Sequence, residues 1–260
     1  MISENIATCD NTSEGWVVFG NKRQRIGNGY MEPDARFWLG TEIESKNLRK
    51  DITKVREIYN EIMPIEQPAL MPSQIGYSQG EYVIKESIAK RDKQTLLDIG
   101  CANGRFGLAL LRDKLILSLV GIDISDEEIK FANKTKENVG IDAEFYRSDI
   151  ESFEAGCNFG IITMNQTLEH LWSPYSAIKK IVSDLLIDNG LFAGTVPYLF
   201  ACNCTNHLHY FTISSLTEFL NKFFVNIRIE LVDYYANSPD HDREDHLVFI
   251  CKEKKLLADA

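Results

Sequence analysis

The chain has 260 residues, a hydrophobic fraction of 44% and a formal net charge of -10. That length and apolar content suit one large α/β domain with a modest appendage and exclude global disorder. The acid excess argues against a protein whose main task is gripping a nucleic-acid backbone, and no apolar run approaches the ~20 residues of a membrane span.

The first residues, MISENIATCDNTSEG, lack the basic start and apolar run of a signal peptide. The six cysteines are therefore expected as reduced thiols and the protein as cytoplasmic. Residues 1–75 read as an extension that packs on the main domain as a cap or lid. Within it WVVFG is a strand candidate, and the following stretch is a loop broken by Gly27, Gly29 and Pro33. A helix is expected from about Ser45 to Ile62, where Leu48, Ile52, Val55, Tyr59 and Ile62 share one stripe. Pro64, Pro68 and Pro72 then interrupt regular structure.

From residue 76 the chain alternates between helix and strand signals. A helix follows Ser78 and covers Glu81 to Ala89. TLLDI (95–99) is a strand, Arg105 to Leu111 a helix, LSLVGID (117–123) a strand. Ser125 caps a helix to about Asn138, with Glu128 at the capping-box position. AEFYRSD (143–149) and FGIITMN (159–165) are strands, and Pro174 opens a helix toward Leu186. GLFAGTVP (190–197) is a strand, ISSLTEFLNKFF a helix, and two β-like runs close the chain. The alternation predicts a mostly parallel sheet with helices on both faces. The last two runs, with no helix between them, are expected to pair antiparallel at one edge.

In such sheets ligands bind outside the carboxyl ends of the strands. LLDIGCANGRFG, Leu96 to Gly107, occupies the first such end. A nucleoside-triphosphate loop would need GxxxxGK followed by Ser or Thr, which is absent here. A dinucleotide loop would place glycine where Ala102 stands, and a pyrophosphate would be repelled by Asp98. A ligand carrying an ammonium or sulfonium would be attracted. Asp123 ends the second strand, where an acid can accept both ribose hydroxyls. Asp149, followed by Ile150, ends the third and offers a carboxylate and an apolar surface to an adenine.

With those three acids in place, the chain resembles the class I S-adenosylmethionine-dependent methyltransferases over about residues 75 to 252. LLDIGCANGRFG is similar to their first motif, GID to their ribose-binding acid, SDI to their adenine segment, and MNQTLEHL to the segment after the fourth strand. MNQTLEHL and HLHYFTISSLTEFL resemble in particular the ubiquinone-type and sugar-modifying small-molecule branch. The resemblance implies an α/β, Rossmann-like class I methyltransferase fold: a mostly parallel seven-stranded sheet with an antiparallel edge, plus the N-terminal extension. It implies S-adenosyl-L-methionine as cofactor. Asp98, Gly100 and Gly104 would hold its methionine part and Cys101 would line the loop. Asp123 would bind the ribose, Ile124 and Ile150 would meet the adenine, Asp149 would face its amine, and Asn165 and Gln166 would lie near the methyl group. Packing alone also accounts for Cys101 and Ile124, and a turn cap for Asp149.

On the acceptor side, His170 and His207 are the candidate proton acceptors, with Glu169 able to orient His170. Tyr77, Gln79, His209 and Tyr210 are candidate substrate contacts. Cys202, Cys204, His207 and His209 are zinc-ligand types, but CxCxxHxH is tighter than common structural sites, so no metal is expected. Arg23 and Arg25 read as a solvated charge run. Trp16, Phe19, Phe37 and Trp38 serve either the core or a dimer contact, so monomer and homodimer both stay open. The resulting expectation is methyl transfer to a small-molecule acceptor, foremost a hydroxyl of a sugar or secondary metabolite. A small-molecule N-methyltransferase and a cofactor-binding scaffold without catalysis are the alternatives. Neither nucleic acid nor membrane is expected as a partner.

Overall fold

The computed structural model describes residues 16–19, 22–25, 69–199, 207, 209–233 and 245–256. The helix expected over 45–62, Phe37, Trp38, Cys202 and Cys204 lie outside the described residues. Strands β1 (Trp16–Phe19) and β2 (Lys22–Arg25) form an antiparallel hairpin, with Trp16 opposite Arg25.

The alternating region follows the pattern of the sequence. Helix α1 (Gln79–Ile88) starts at Ser78. Ser78 Oγ accepts the Glu81 amide at 3.3 Å, and the Glu81 carboxylate accepts the Ser78 amide at 2.7 Å. Such a reciprocal cap is worth about 1 kcal/mol. Then come β3 (Thr95–Ile99), α2 (Arg105–Arg112), β4 (Ser118–Asp123), α3 (Asp126–Val139) and β5 (Glu144–Arg147). Strand β6 (Phe159–Asn165) runs into a 3-10 turn over Leu168–His170. Helix α4 (Pro174–Lys180) carries Pro174 in its first turn and continues as a π turn to Leu185. Strand β7 (Leu186–Pro197), helix α5 (Ile213–Leu220), and strands β8 (Phe224–Asp233) and β9 (Asp245–Lys254) complete the described fold.

Among the described residues, seven strands form one sheet in the order β5-β4-β3-β6-β7-β9-β8. The pairs among β3 to β7 are parallel, whereas β9 runs antiparallel to both β7 and β8. The closing strands β8 and β9 pair antiparallel at one edge, as expected, and the strand order refines that edge. The reversed strand is the inner one, and the outermost strand, β8, runs with the parallel set. The burial of the two strands explains the order. Leu247 to Cys251 of β9 are all buried, as suits a strand covered on both faces and flanked on both sides. Strand β8 leaves Val225 and Leu231 exposed and fits an edge.

Side-chain alternation divides the core in two. Leu97, Ile99, Ile162, Met164, Phe192 and Phe249 face α4 and α5. Leu96, Ile161, Leu191, Ala193 and Val248 face α1, α2 and α3. The same alternation turns Asp98 and its neighbour Thr163 toward α1–α3. The end of the extension is tied to that side as well. Leu70 N donates to Thr135 Oγ1 on α3, Asn138 Nδ2 donates to Leu70 O, and Arg112 of α2 donates to Ile75 O. Because β3, β4, β6 and β7 are parallel, their carboxyl ends open onto one rim.

Candidate active site

The rim begins with the glycine loop between β3 and α2. Gly100 has φ +70°, and a Cβ there would lie 2.1 Å from Thr167 Oγ1. Gly104 has φ +75°, and its Cβ would meet the Phe145 ring at 2.6 Å. Both positions therefore demand glycine for conformation and for space. Ala102 takes φ +45° without that freedom, which gives a physical meaning to the one departure from the usual glycine pattern.

Backbone hydrogen bonds fasten the loop to β4. Gly100 N and Cys101 N both donate to Ile122 O, at 2.8 and 3.0 Å. Ala102 N donates to Asp123 Oδ2 at 3.0 Å, and Ser125 N to Asp123 Oδ1 at 2.9 Å. Burial pushes the Asp123 carboxyl up, and these amide donors oppose it. Ile124 follows it and is half-buried. Cys101 is buried against the Gly121–Phe145 contact, and burial followed by the neighbouring Asp123 and Asp98 holds its thiol protonated. It packs behind the loop.

Asp98 is 3% exposed. Thr163 Oγ1 donates to Asp98 Oδ1 at 2.7 Å. Burial raises the Asp98 carboxyl to about 7; the Thr163 bond lowers it, and Glu81 and Asp123 raise it further. Glu81 belongs to a buried clamp. Its two carboxylate oxygens accept Arg105 Nη2 at 2.6 and 2.7 Å, and Arg105 Nη1 donates to Gly76 O at 2.6 Å. Sequence reading missed Thr163, Glu81 and Arg105. Thr163 carried a signal, a hydroxyl inside an apolar strand. The clamp did not, because its partners stand 24 residues apart.

The adenine-side candidates divide. Asp149 Oδ1 accepts the Ser152 amide at 2.8 Å and Oδ2 accepts the Ser152 hydroxyl, so this carboxylate caps its own turn. Ile150 is buried in the core face of α4 and α5.

At the β6 end, Gln166 adopts φ +49°. Gln166 Nε2 donates to Thr195 Oγ1 at 2.9 Å, and Thr195 Oγ1 donates to Asn165 Oδ1 at 3.4 Å. Asn165 Nδ2 is buried with no hydrogen-bond partner among the described residues. A buried donor left open at the rim suits a ligand acceptor there.

The acceptor-side residues gather beyond it. The His170 and His207 rings stand edge to face, 4.7 Å apart. His207 is 4% exposed, and burial with nearby His246 brings its imidazole down to about 4. At neutral pH it is uncharged and a weak base. Glu169 is fully buried, and burial raises its carboxyl to about 8. His209 is buried and structural: its amide donates to Glu169 O at 3.1 Å, and its Nε2 lies 2.8 Å from Leu171 O. Tyr210 is buried beside His207, 6.4 Å between ring centroids. Tyr77 is not brought to this group. Its hydroxyl donates to Asp113 at the far end of α2, and its ring meets Phe106 edge-on. Gln79 opens α1, half-buried.

Residues 90–218 match a family model described as "Methyltransferase domain". Residues 90–218 thus resemble a methyltransferase domain, and the seven-stranded sheet has the class I methyltransferase fold. The domain is 31% identical over 107 residues to a ubiquinone biosynthesis O-methyltransferase of Actinobacillus pleuropneumoniae, which is 39% of this chain and 45% of that protein. The chain thus spans less than half the length of that curated relative. Among solved structures, the domain superposes on the [4+2]-cyclase SpnF with a TM-score of 0.59 and 18% identity, over 77% of this chain and 96% of that one. It superposes on the plantazolicin methyltransferase BpumL in complex with SAH with a TM-score of 0.53 and 14% identity, over 83% and 92%. A cyclase and a methyltransferase share this fold, so the fold by itself does not fix the reaction. Among the described residues, no helix is long and apolar enough to cross a membrane.

Proposed function

We propose that the chain is an S-adenosyl-L-methionine-dependent methyltransferase of the small-molecule branch, acting foremost on a hydroxyl oxygen of a sugar or secondary metabolite. The observation that carries this reading is the pairing of a backbone-fastened acid loop with open polar atoms beyond it. Asp98 faces the ammonium of the methionine end, with Gly100, Cys101 and Gly104 forming the loop around it. Asp123, already oriented by three backbone amides, takes the ribose hydroxyls. Ile124, Asp149 and Ile150 bound the adenine side, and Asn165 and Gln166 lie toward the reacting methyl. When bound, the cofactor supplies an electrophilic methyl group.

This chain's own residues hold and deprotonate the acceptor. His170, half-buried at the rim, is the candidate base, and neutral His207 orients it or the acceptor. Tyr210 and the strap fixed by His209 wall the pocket. Tyr77 anchors the segment before α1, with Gln79 at the start of that helix. Residues 1–75 act as a cap over residues 76–260.

The test is calorimetric titration of folded protein with S-adenosylmethionine and, separately, S-adenosylhomocysteine. Micromolar binding of both, followed by methylated product from a screen of hydroxylated metabolites, supports the reading. Absence of binding to either removes it. Binding without turnover of hydroxyl or amine acceptors would leave a cofactor-binding scaffold.

A further inference from the structure

Three metal-ligand side chains meet at the acceptor edge of the rim. Glu169, His170 and His207 each offer one ligand atom, and these atoms lie within 4.8 Å of one another. Neither Glu169 carboxylate oxygen has a hydrogen-bond partner among the described residues, and His207 Nδ1 has none either. His170 Nε2 stands 3.9 Å from Glu169 Oε1, beyond hydrogen-bond length. A side chain of 0% exposure whose carboxylate meets no polar group beyond its own amide among the described residues, set beside two imidazoles, is an arrangement that a hydrogen-bond network does not explain.

The surrounding backbone builds this meeting. Glu169 and His170 are consecutive on the 3-10 turn after β6. His207 arrives from a strap about 37 residues later, held in register by the two His209 contacts to Glu169 O and Leu171 O. Tetrahedral coordination at about 2.0–2.1 Å needs ligand atoms about 3.3 Å apart, so side-chain rotations that bring them closer by up to about 1.5 Å close the set.

We propose that Glu169, His170 and His207 form a divalent metal site of the two-imidazole, one-carboxylate kind, taking a first-row transition ion of the zinc class and keeping positions open toward the acceptor. Two nitrogen donors select against magnesium and calcium, which prefer all-oxygen surroundings. The site's role rests on the methyltransferase reading; its existence does not. An ion there lowers the pKa of a coordinated acceptor hydroxyl. With the ion bound, His170 serves as a ligand in place of the base role given above, the hydroxyl proton leaves to water, and an oxygen electron pair forms the new C–O bond. The C–S bond breaks with its electron pair staying on sulfur, which ends as a neutral thioether.

The test uses the full chain after chelator dialysis, titrated with Co2+ and followed by visible absorption. The expected result is one ion per chain, with the absorption of a four- or five-coordinate site, displaced by Zn2+ and not by Mg2+. Glu169→Gln and His207→Gln should each weaken Co2+ by more than the about 10–100-fold typical of lost outer partners. Two variants are needed because either alone may fold poorly. No bound ion, or an affinity that neither variant moves, overturns the proposal. S-adenosylhomocysteine titrated into the same samples separates the two readings. Cofactor binding without metal overturns only the metal site. Metal binding without cofactor supports the metal site and overturns the methyltransferase reading.

Discussion

The two halves of the rim satisfy their polar groups in opposite ways. At the β3 and β4 ends, backbone amides do it: Ala102 and Ser125 donate to Asp123, and Gly100 and Cys101 to Ile122. At the β6 and β7 ends, Asn165 Nδ2, both Glu169 oxygens and His207 Nδ1 are buried with no partner among the described residues. Glu128 Oε2, close enough to Asp123 to feel its charge, is the exception on the first side. The first half is satisfied by the chain itself; the second leaves buried polar atoms open to a ligand. A scaffold reused for different reactions is expected to divide this way, with a fixed half for the shared ligand and an unsatisfied half for the variable one.

The strongest way to break the comparison is to damage the satisfied half. Gly100→Ala forces a Cβ to 2.1 Å from Thr167 Oγ1 at a φ of +70°. The left-handed strain and overpacking together cost about 3 kcal/mol or more. Denaturant unfolding should show that loss, and S-adenosylhomocysteine affinity should fall at least about 100-fold. Retained affinity would mean that the loop is not the cradle. Next in size is His170→Ala in the unsatisfied half. Its kcat with the identified acceptor should fall by about 100-fold, whether the imidazole is lost as a base or as a metal ligand, while calorimetric affinity for S-adenosylhomocysteine stays within a few-fold. An equal loss of cofactor affinity would join the two halves into one.

The same division governs what could be read from the chain. β3 and β6 were readable residue by residue because their apolar runs are local and bounded by turn signals. Strand β7 begins at Leu186, earlier than expected. Leu186 already pairs with Phe159, while Asp188, Asn189 and Gly190 look like turn chemistry on paper. The placement of β9 between β7 and β8 has no local signature, since either strand of a closing pair could be outermost. Gly100, Gly104 and Asp123 were readable because a bent backbone and a strand-end acid leave composition marks. Asp149 was readable as a polar strand end, but its Ser152 cap emerged only in three dimensions. The meeting of His207 with Glu169 and His170 depends on a strap that returns across the rim, and periodicity says nothing about returns.

A smaller effect concerns Asp98. Its carboxyl lies at about 7 in the folded protein, above the ~3.9 of an unfolded chain. The folded state therefore holds this proton more tightly. Its contribution to stability is full below pH ~4, falls as pH rises toward about 7, and is flat above. A cofactor ammonium favours the ionised form, so binding below pH 7 must expel a proton. Affinity should weaken up to about tenfold per pH unit from 7 to 5. Calorimetry in buffers of different ionisation heat should count close to one proton released at pH 6 and almost none at pH 8. Thr163→Val removes the 2.7 Å bond that lowers the carboxyl and should move this profile upward in pH. A profile unmoved by Thr163→Val would detach Asp98 from the ammonium.

The smallest effect tests whether the satisfied half tolerates relaxation. Ala102 occupies φ +45°, a region that strains an alanine by about 1–2 kcal/mol and a glycine hardly at all. Replacing it with glycine also adds freedom to the unfolded chain, which opposes the gain by about 0.5–1 kcal/mol. The net expectation for Ala102→Gly is a stabilisation of about 0.5 kcal/mol in denaturant unfolding, with S-adenosylhomocysteine affinity within about twofold. The amide that meets Asp123 Oδ2 is kept in either residue, so the hydrogen-bond pattern stays and only local stiffness changes. If affinity instead dropped tenfold, stiffness at Ala102, rather than the amide pattern, would be what prepares this half. The contrast between the two sides of the rim would then be one of rigidity rather than of satisfied polar groups.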